Sequence, residues 1–168
     1  MMAHQEQMTD LRGNSKITIH VHYTDQYGKP VDGVTDVILT GNKGDSYKVE
    51  MPETNNPDKY VNPKCSIPLT GTFDTDITAV VTYDNRYVDI TVHRLDFDTK
   101  QKLLDDATFT GLGKSKAYFD FMNNEAPTEI TVSGQKYKLD ETESAKVSDQ
   151  NPDANGHLTF NAMYKKEV

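Results

Sequence analysis

Two histidines on one strand, scattered turn carboxylates, a single thiol and nine tyrosines are the side chains here that could do chemistry. His20 and His22 alternate with apolar residues and so share one strand face, a spacing that binds a metal when further ligands converge. No third His or Cys follows at ligand spacing, so the pair reads as a polar stripe and no metal or cofactor is expected. Asp96, Asp98, Asp105 and Asp106, and Asp74 with Asp76, could lend oxygens to Ca²⁺. Lys100 sits where the EF-hand order needs another oxygen, and these acids read as turn residues solvating themselves. Gly113-Lys114-Ser115 resembles the end of a P-loop, but position 108 is Thr where that motif needs Gly. A turn followed by a helix cap is the better reading. Cys65 falls in a Pro-flanked loop with no neighbouring His, and no G-x-S-x-G elbow is present. The chain is therefore expected to be non-enzymatic.

The tyrosines carry an apolar ring and a polar tip, suited to stacking on sugars or anchoring a protein partner when exposed. Tyr23, Tyr47, Tyr83, Tyr118 and Tyr164 fall at inward or repeated positions and are assigned to the core. Tyr27, Tyr60, Tyr87 and Tyr137 are less constrained and are the candidate ligand-binding residues.

Bulk composition narrows the partners. The 168 residues are 35% hydrophobic, below the roughly 45–50% of an average domain, which favours two thin cores over one large one. Acidic residues outnumber basic ones 26 to 18, leaving a net charge of −8. That balance excludes a phosphate-neutralising surface for nucleic acid and disfavours an anionic membrane. No apolar run reaches the roughly 18 residues of a membrane helix. Cys65 stands alone, so no intramolecular disulfide forms. Residues 1–15 lack the apolar stretch of a secretion signal and read as a flexible lead-in.

The elements that position these side chains occur twice. Ile17-Thr18-Ile19-His20-Val21-His22-Tyr23 alternates as a half-buried strand, and Val88-Asp89-Ile90-Thr91-Val92-His93 repeats it with an offset of 71 residues from Val21 to Val92. A turn follows each, Asp25-Gln26-Tyr27-Gly28-Lys29 and Asp96-Phe97-Asp98-Thr99-Lys100, with Thr99 standing where the first has Gly28. Leu39-Thr40-Gly41 to Tyr47 then matches Phe109-Thr110-Gly111 to Tyr118, and alternating strands close the halves at Tyr83 and Tyr164. The middles differ. Met51 to Pro68 reads as loop with a short strand at Tyr60-Val61. In the second half Ser115 caps a helix from Lys116 to Asn124 whose Tyr118, Phe121 and Met122 form one apolar face. Pro127 follows it, and Ser133-Gly134 closes a tight hairpin. Strand, strand, helix, strand, strand is a β-grasp order.

At these residues the sequence resembles the mucin-binding (MucBP/MUB) repeats of lactic-acid-bacterial surface proteins. The D-x-x-G-K turn, the L-T-G-x-x-G-D-S-Y segment and the closing T-G-T-F…V-T-Y of residues 17–83 carry the likeness most clearly. The resemblance implies an α+β, β-rich fold of two tandem β-grasp (ubiquitin-like) modules, over residues 16–84 and 85–168, and the junction near Asp84-Asn85-Arg86, which has no Gly/Ser linker, leads one to expect them stacked end to end. It implies a monomeric piece of a longer repeat array, extracellular and anchored to the cell wall, with signal and anchor elsewhere. The implied function is weak, multivalent adhesion to host mucin or another glycoprotein; a stalk that only spaces a distal adhesive domain is the rival. No ligand residue is implied by the family's motifs.

Overall fold

Alternation builds the first strand: β1 (Ile17–Asp25) buries Ile19, Val21, Tyr23 and Asp25 on one face. In the computed structural model, which describes residues 16–168, the chain divides between Asn85 and Arg86 into two compact units. The expected lead-in, residues 1–15, lies outside the described residues. The chain is β-rich α+β with mixed sheets.

The first unit continues with β2 (Val37–Gly41), β3 (Ser46–Lys48), β4 (Tyr60–Cys65), β5 (Thr70–Thr72) and β6 (Ile77–Asn85). Its sheet runs β2-β1-β6-β4, with β1 and β6 parallel and the outer pairings antiparallel. A small β3–β5 ladder packs on the core through Tyr47, and Val31, Val49, Tyr60 and Phe73 complete that core. The expected Tyr60-Val61 strand extends to Cys65. Pro63 is accommodated there because the register breaks between Val61 and Lys64 around Asn62, at φ 52°. Cys65 thus sits in a strand, half-buried against the core, and not in a loop.

The second unit holds β7 (Tyr87–Asp96), β8 (Lys102–Leu112), α1 (Lys116–Glu125), β9 (Glu129–Val132), β10 (Gln135–Leu139), α2 (Glu141–Val147) and β11 (His157–Lys166). Its sheet runs β8-β7-β11-β10-β9, again with the first and last strands, β7 and β11, parallel at the centre. Phe121 and Met122 of α1 pack on Val92, Ala162 and Tyr164. Ser133 and Gly134 both take positive φ, 49° and 80°, as a two-residue hairpin turn requires.

Helix α2 was not anticipated. Its signal is an N-cap: the Asp140 carboxylate accepts from the Glu143 amide at 2.8 Å, and Glu141 and Glu143 place acids in the first turn. Strand β10 pairs only with the end of β11, from Leu139↔Tyr164 to Tyr137↔Lys166. Segment 140–149 takes over the rest of that edge. The Asp140 amide donates to the Met163 carbonyl, and the Met163 amide donates to the fully buried Ser144 hydroxyl at 2.9 Å. Farther along, the Asn161 amide donates to Ser148 Oγ and the Asp149 amide to the Thr159 carbonyl. A polar helix with its flanks therefore does what another strand would do for β11.

The turns after the first strands differ by one residue from the sequence alignment. Asp25 Oδ1 accepts from the Tyr27 and Lys29 amides, with positive φ at Gly28. Asp96 Oδ1 accepts from the Asp98 and Thr99 amides, but the positive φ, 63°, falls at Lys100. Thr99 is therefore not the counterpart of Gly28; the second turn is longer and places its left-handed residue later.

The middles also share a tie that their differing elements conceal. Tyr83 of β6 donates its hydroxyl to the Pro52 carbonyl at 2.5 Å, and Tyr164 of β11 donates to the Pro127 carbonyl at 2.7 Å. Each proline closes a matching tripeptide, Glu50-Met51-Pro52 and Glu125-Ala126-Pro127. The glutamate carbonyls are held too: Glu50 by the Tyr23 hydroxyl at 2.7 Å and Glu125 by Arg94 Nη1 at 3.0 Å. Tyr23 and Arg94 lie 71 residues apart, the offset of the repeat. Arg94 is only 6% exposed; Nη1 also pairs with the Glu125 carboxylate at 2.7 Å, and Nη2 donates to the Asp105 carbonyl. A buried guanidinium tolerates such a site only with its charge paired and most donors used.

Burial pushes the Tyr164 hydroxyl up to about 12, and the same cause holds Tyr23 and Tyr83 above the ordinary tyrosine value. The raised value means that the folded state keeps a proton that the unfolded chain loses near pH 10. Stability from Tyr164 is thus complete below about pH 10 and declines by roughly 2 kcal/mol as pH rises to about 12. Tyr164→Phe is expected to cost about 1–3 kcal/mol at pH 7 and to shrink that alkaline decline, read from urea midpoints at pH 7 and pH 11. Ser144→Ala strands the buried Met163 amide and is expected to cost about 1–3 kcal/mol by the same urea measurement at pH 7.

Candidate functional site

The last pair of the β7–β8 ladder is Tyr87↔Leu112, and the chain enters β7 and leaves β8 at that end. Gly113 donates its amide to the Arg86 carbonyl at 3.2 Å. A Cβ at Gly113 would stand 3.0 Å from Val88 Cγ1, so a larger residue would make the Val88 side chain give by a few tenths of an ångström. Lys114 takes a left-handed φ of 57°, and the chain then enters α1. Ser115 caps the helix, accepting from the Tyr118 amide at 3.2 Å while its hydroxyl donates to the Leu112 carbonyl at 2.6 Å. These residues are the turn and cap that the sequence indicated in place of a phosphate loop.

The cap sets the phase of α1. Phe121 and Met122 face the sheet, which leaves Tyr118 half-buried at the rim and Phe119 51% exposed. Four rings form a row: Phe119 and Tyr118 at 5.4 Å between centroids, Tyr118 and Phe109 at 5.9 Å, Phe109 and Phe121 at 5.3 Å. Beside the row opens a cleft of about 660 Å³, walled by Val88, Leu112, Tyr118 and Phe119 and rimmed by Arg86 and Lys114. A smaller cleft of about 250 Å³ lies on the other side of Tyr118, against Ile90, Met122 and Phe160. The larger volume is that of a small-ligand site, apolar with a few polar groups at its edge.

The four tyrosines singled out from sequence fall elsewhere. Tyr60 is a correction: it is 6% exposed, its ring stands edge-on to Tyr83 at 6.4 Å, and its oxygen accepts from the Asp32 amide. The bulge in β4 turns it inward, so its ring is unavailable to a ligand. Tyr137 is half-buried and packs on the second core. Tyr27, in the turn after β1, and Tyr87, opening β7, are partly exposed. None of the four lines either cleft. Tyr118, assigned to the core from sequence, instead borders both. The signal was present: Tyr118 and Phe119 are adjacent in a helix, so they cannot both face the sheet.

The other candidate chemistry is absorbed locally. His22 Nδ1 meets Asp36 at 2.7 Å, and the repeat-matched His93 Nδ1 meets Asp106 at 2.6 Å. These hydrogen bonds hold the Asp36 and Asp106 carboxyls below their ordinary value. Asp106 also pairs with Lys102, Asp74 with Lys43, and Asp76 accepts from the Thr18 amide. Among the described residues no three His, Cys, Asp or Glu side chains gather where they could hold a metal. No helix among the described residues is long and apolar enough to cross a membrane.

Compared with known proteins, the chain matches no family model and no curated protein.

Phe119→Ala is expected to cost no more than about 1 kcal/mol, because half of the ring is in solvent and its ring contact among the described residues is with Tyr118 alone. Tyr118→Ala removes two ring contacts and part of the cleft wall and should cost about 1–2 kcal/mol. Urea denaturation of the two variants in parallel checks the contrast.

Proposed function

We propose that the chain is a pair of tandem β-grasp-like modules of a bacterial surface adhesin of the mucin-binding-repeat type. In this reading it is displayed outside the cell wall, catalyses nothing, and holds host mucin or another glycoprotein weakly at each copy. The sheet-and-helix order supports the β-grasp part: a hairpin, a crossover and a last strand returning parallel to the first, with α1 over one sheet face in the second unit. Duplication supports the adhesive part, since weak sites gain strength by simultaneous engagement along an array.

The observation that carries the reading is the aromatic cleft beside α1. Pyranose rings present apolar C–H faces and polar rims, and a half-buried Tyr118 beside an exposed Phe119 offers the matching surface. Such sites bind shallowly, which fits a module used many times.

Retention on immobilised mucin, native and enzymatically deglycosylated, tests the proposal with the chain displayed singly and multivalently. Multivalent chain is expected to be retained on native mucin and released by Phe119→Ala, with little retention on the deglycosylated form. Retention equal on both forms would point to the protein part of the glycoprotein. No retention even when multivalent would leave only a stalk that spaces other domains.

A further inference from the structure

The charge around the α1 cleft opposes the charge of the molecule. The chain carries 26 acidic and 18 basic residues, yet the cleft lining includes two cations, Arg86 and Lys114, and no Asp or Glu. Both cations are exposed, and among the described residues neither forms an ion pair. The nearest acid on the helix, Asp120, is taken by Lys116 at 2.6 Å. No acidic side chain occupies the first turn of α1. Arg86 and Lys114 leave the same end of the β7–β8 ladder, one just before Tyr87 and the other two residues after Leu112. They are therefore neighbours across the mouth of one cleft.

We propose that this cleft binds an acidic sugar, a pyranose bearing a carboxylate or a sulfate ester, with its anion at Arg86 and Lys114 and its ring face on Phe119 and Tyr118. The saccharide part rests on the function proposed above; the anionic part rests on the lining. A guanidinium offers a fork of donors matched to two oxygens of either anion, and the flexible lysine supplies a second charge. The net charge of −8 disfavours the same ligand over the surface as a whole, which favours a cleft whose lining holds cations and no carboxylate. An acidic peptide shares the charge but not the fit. The two rings meet at 70° and Phe119 is half exposed, so an aromatic face is open to the C–H face of a pyranose, which a peptide carboxylate does not supply.

Multivalent display of the full chain on beads, probed with neoglycoproteins, tests this. The probes are a glucuronate-terminated sugar and a 6-O-sulfated galactose, their neutral parents glucose and galactose, and an Asp/Glu-rich peptide on the same carrier. Both acidic sugars are expected to be retained about tenfold more strongly than their parents at low salt, a difference of about 1.4 kcal/mol. That margin should shrink as salt rises, because exposed charges are screened. Arg86→Gln with Lys114→Gln should erase the margin without altering the urea midpoint, whereas Phe119→Ala should weaken acidic and neutral sugars alike. If only one acidic sugar is favoured, the anion is identified as carboxylate or as sulfate ester.

Equal retention of acidic and neutral sugars, both lost with Phe119→Ala, overturns the anion site while leaving the adhesive cleft standing. No retention of any sugar overturns both. Retention of the peptide as strong as that of the acidic sugars replaces the sugar by an acidic protein segment. A margin that survives the double glutamine variant places the anion elsewhere on the chain and also overturns the assignment.

Discussion

A last strand can lie parallel to the first only when the chain between them crosses the sheet and returns, and that crossover must be held at a defined point. In both units the holding contact is a buried tyrosine hydroxyl on a proline carbonyl, from Tyr83 to Pro52 and from Tyr164 to Pro127. The donor stands on the returning strand and the acceptor on the crossover, so one bond couples the two. Proline suits the acceptor position because it contributes a carbonyl without adding an amide that would need its own partner. The neighbouring glutamate carbonyl is tied to the first strand by Tyr23 or Arg94. First strand, crossover and last strand are thereby joined in a triangle, and the outer strands add to its sides.

What fills the crossover is free to vary once the triangle is set. The first unit spends it on a loop, a short ladder and a bulged edge strand; the second spends it on α1, a hairpin and α2. The exchange of Tyr23 for Arg94 follows the same logic. The tyrosine meets the glutamate carbonyl with one neutral hydroxyl, whereas the arginine needs the Glu125 carboxylate and the Asp105 carbonyl as well to offset its buried charge. A longer, more polar tie occurs in the unit whose fully buried core is smaller, with Val92, Ala162 and Tyr164 at its centre.

The cleft is a consequence of how α1 is started. Ser115 caps the helix directly after the left-handed Lys114, which fixes which residues of the first turn meet the sheet. Phe121 and Met122 take the inward positions, and the helical period then leaves Tyr118 at the edge and Phe119 outside it. Close approach at Gly113 brings Arg86 beside the same turn. Two cations and two rings are thus gathered by a turn, a cap and a ladder end that are needed for folding in any case.

Much of this was legible in the residues themselves. Alternation marked β1, β6, β7 and β11, a serine cap marked α1, and Ser133-Gly134 marked a hairpin, because each follows from local periodicity or local backbone preference. The duplication was visible wherever the two halves share strands and turns. Hidden were features made by pairing across distance. The Glu-x-Pro tie spans 31 and 37 residues between tyrosine and proline, and nothing local to either partner announces it. Helix α2 has too few apolar residues to show a face, since it is held to the edge of β11 by serine hydroxyls and by the amides that flank it. Tyr60 and Tyr118 exchanged the roles their sequence positions suggested, one drawn inside by a bulge, the other left at a rim by helical phase. Residue types determined which segments are strands, turns and helices; the crossing of the chain decided which tyrosines are structure and which rings a ligand can reach, because burial depends on what folds over a side chain.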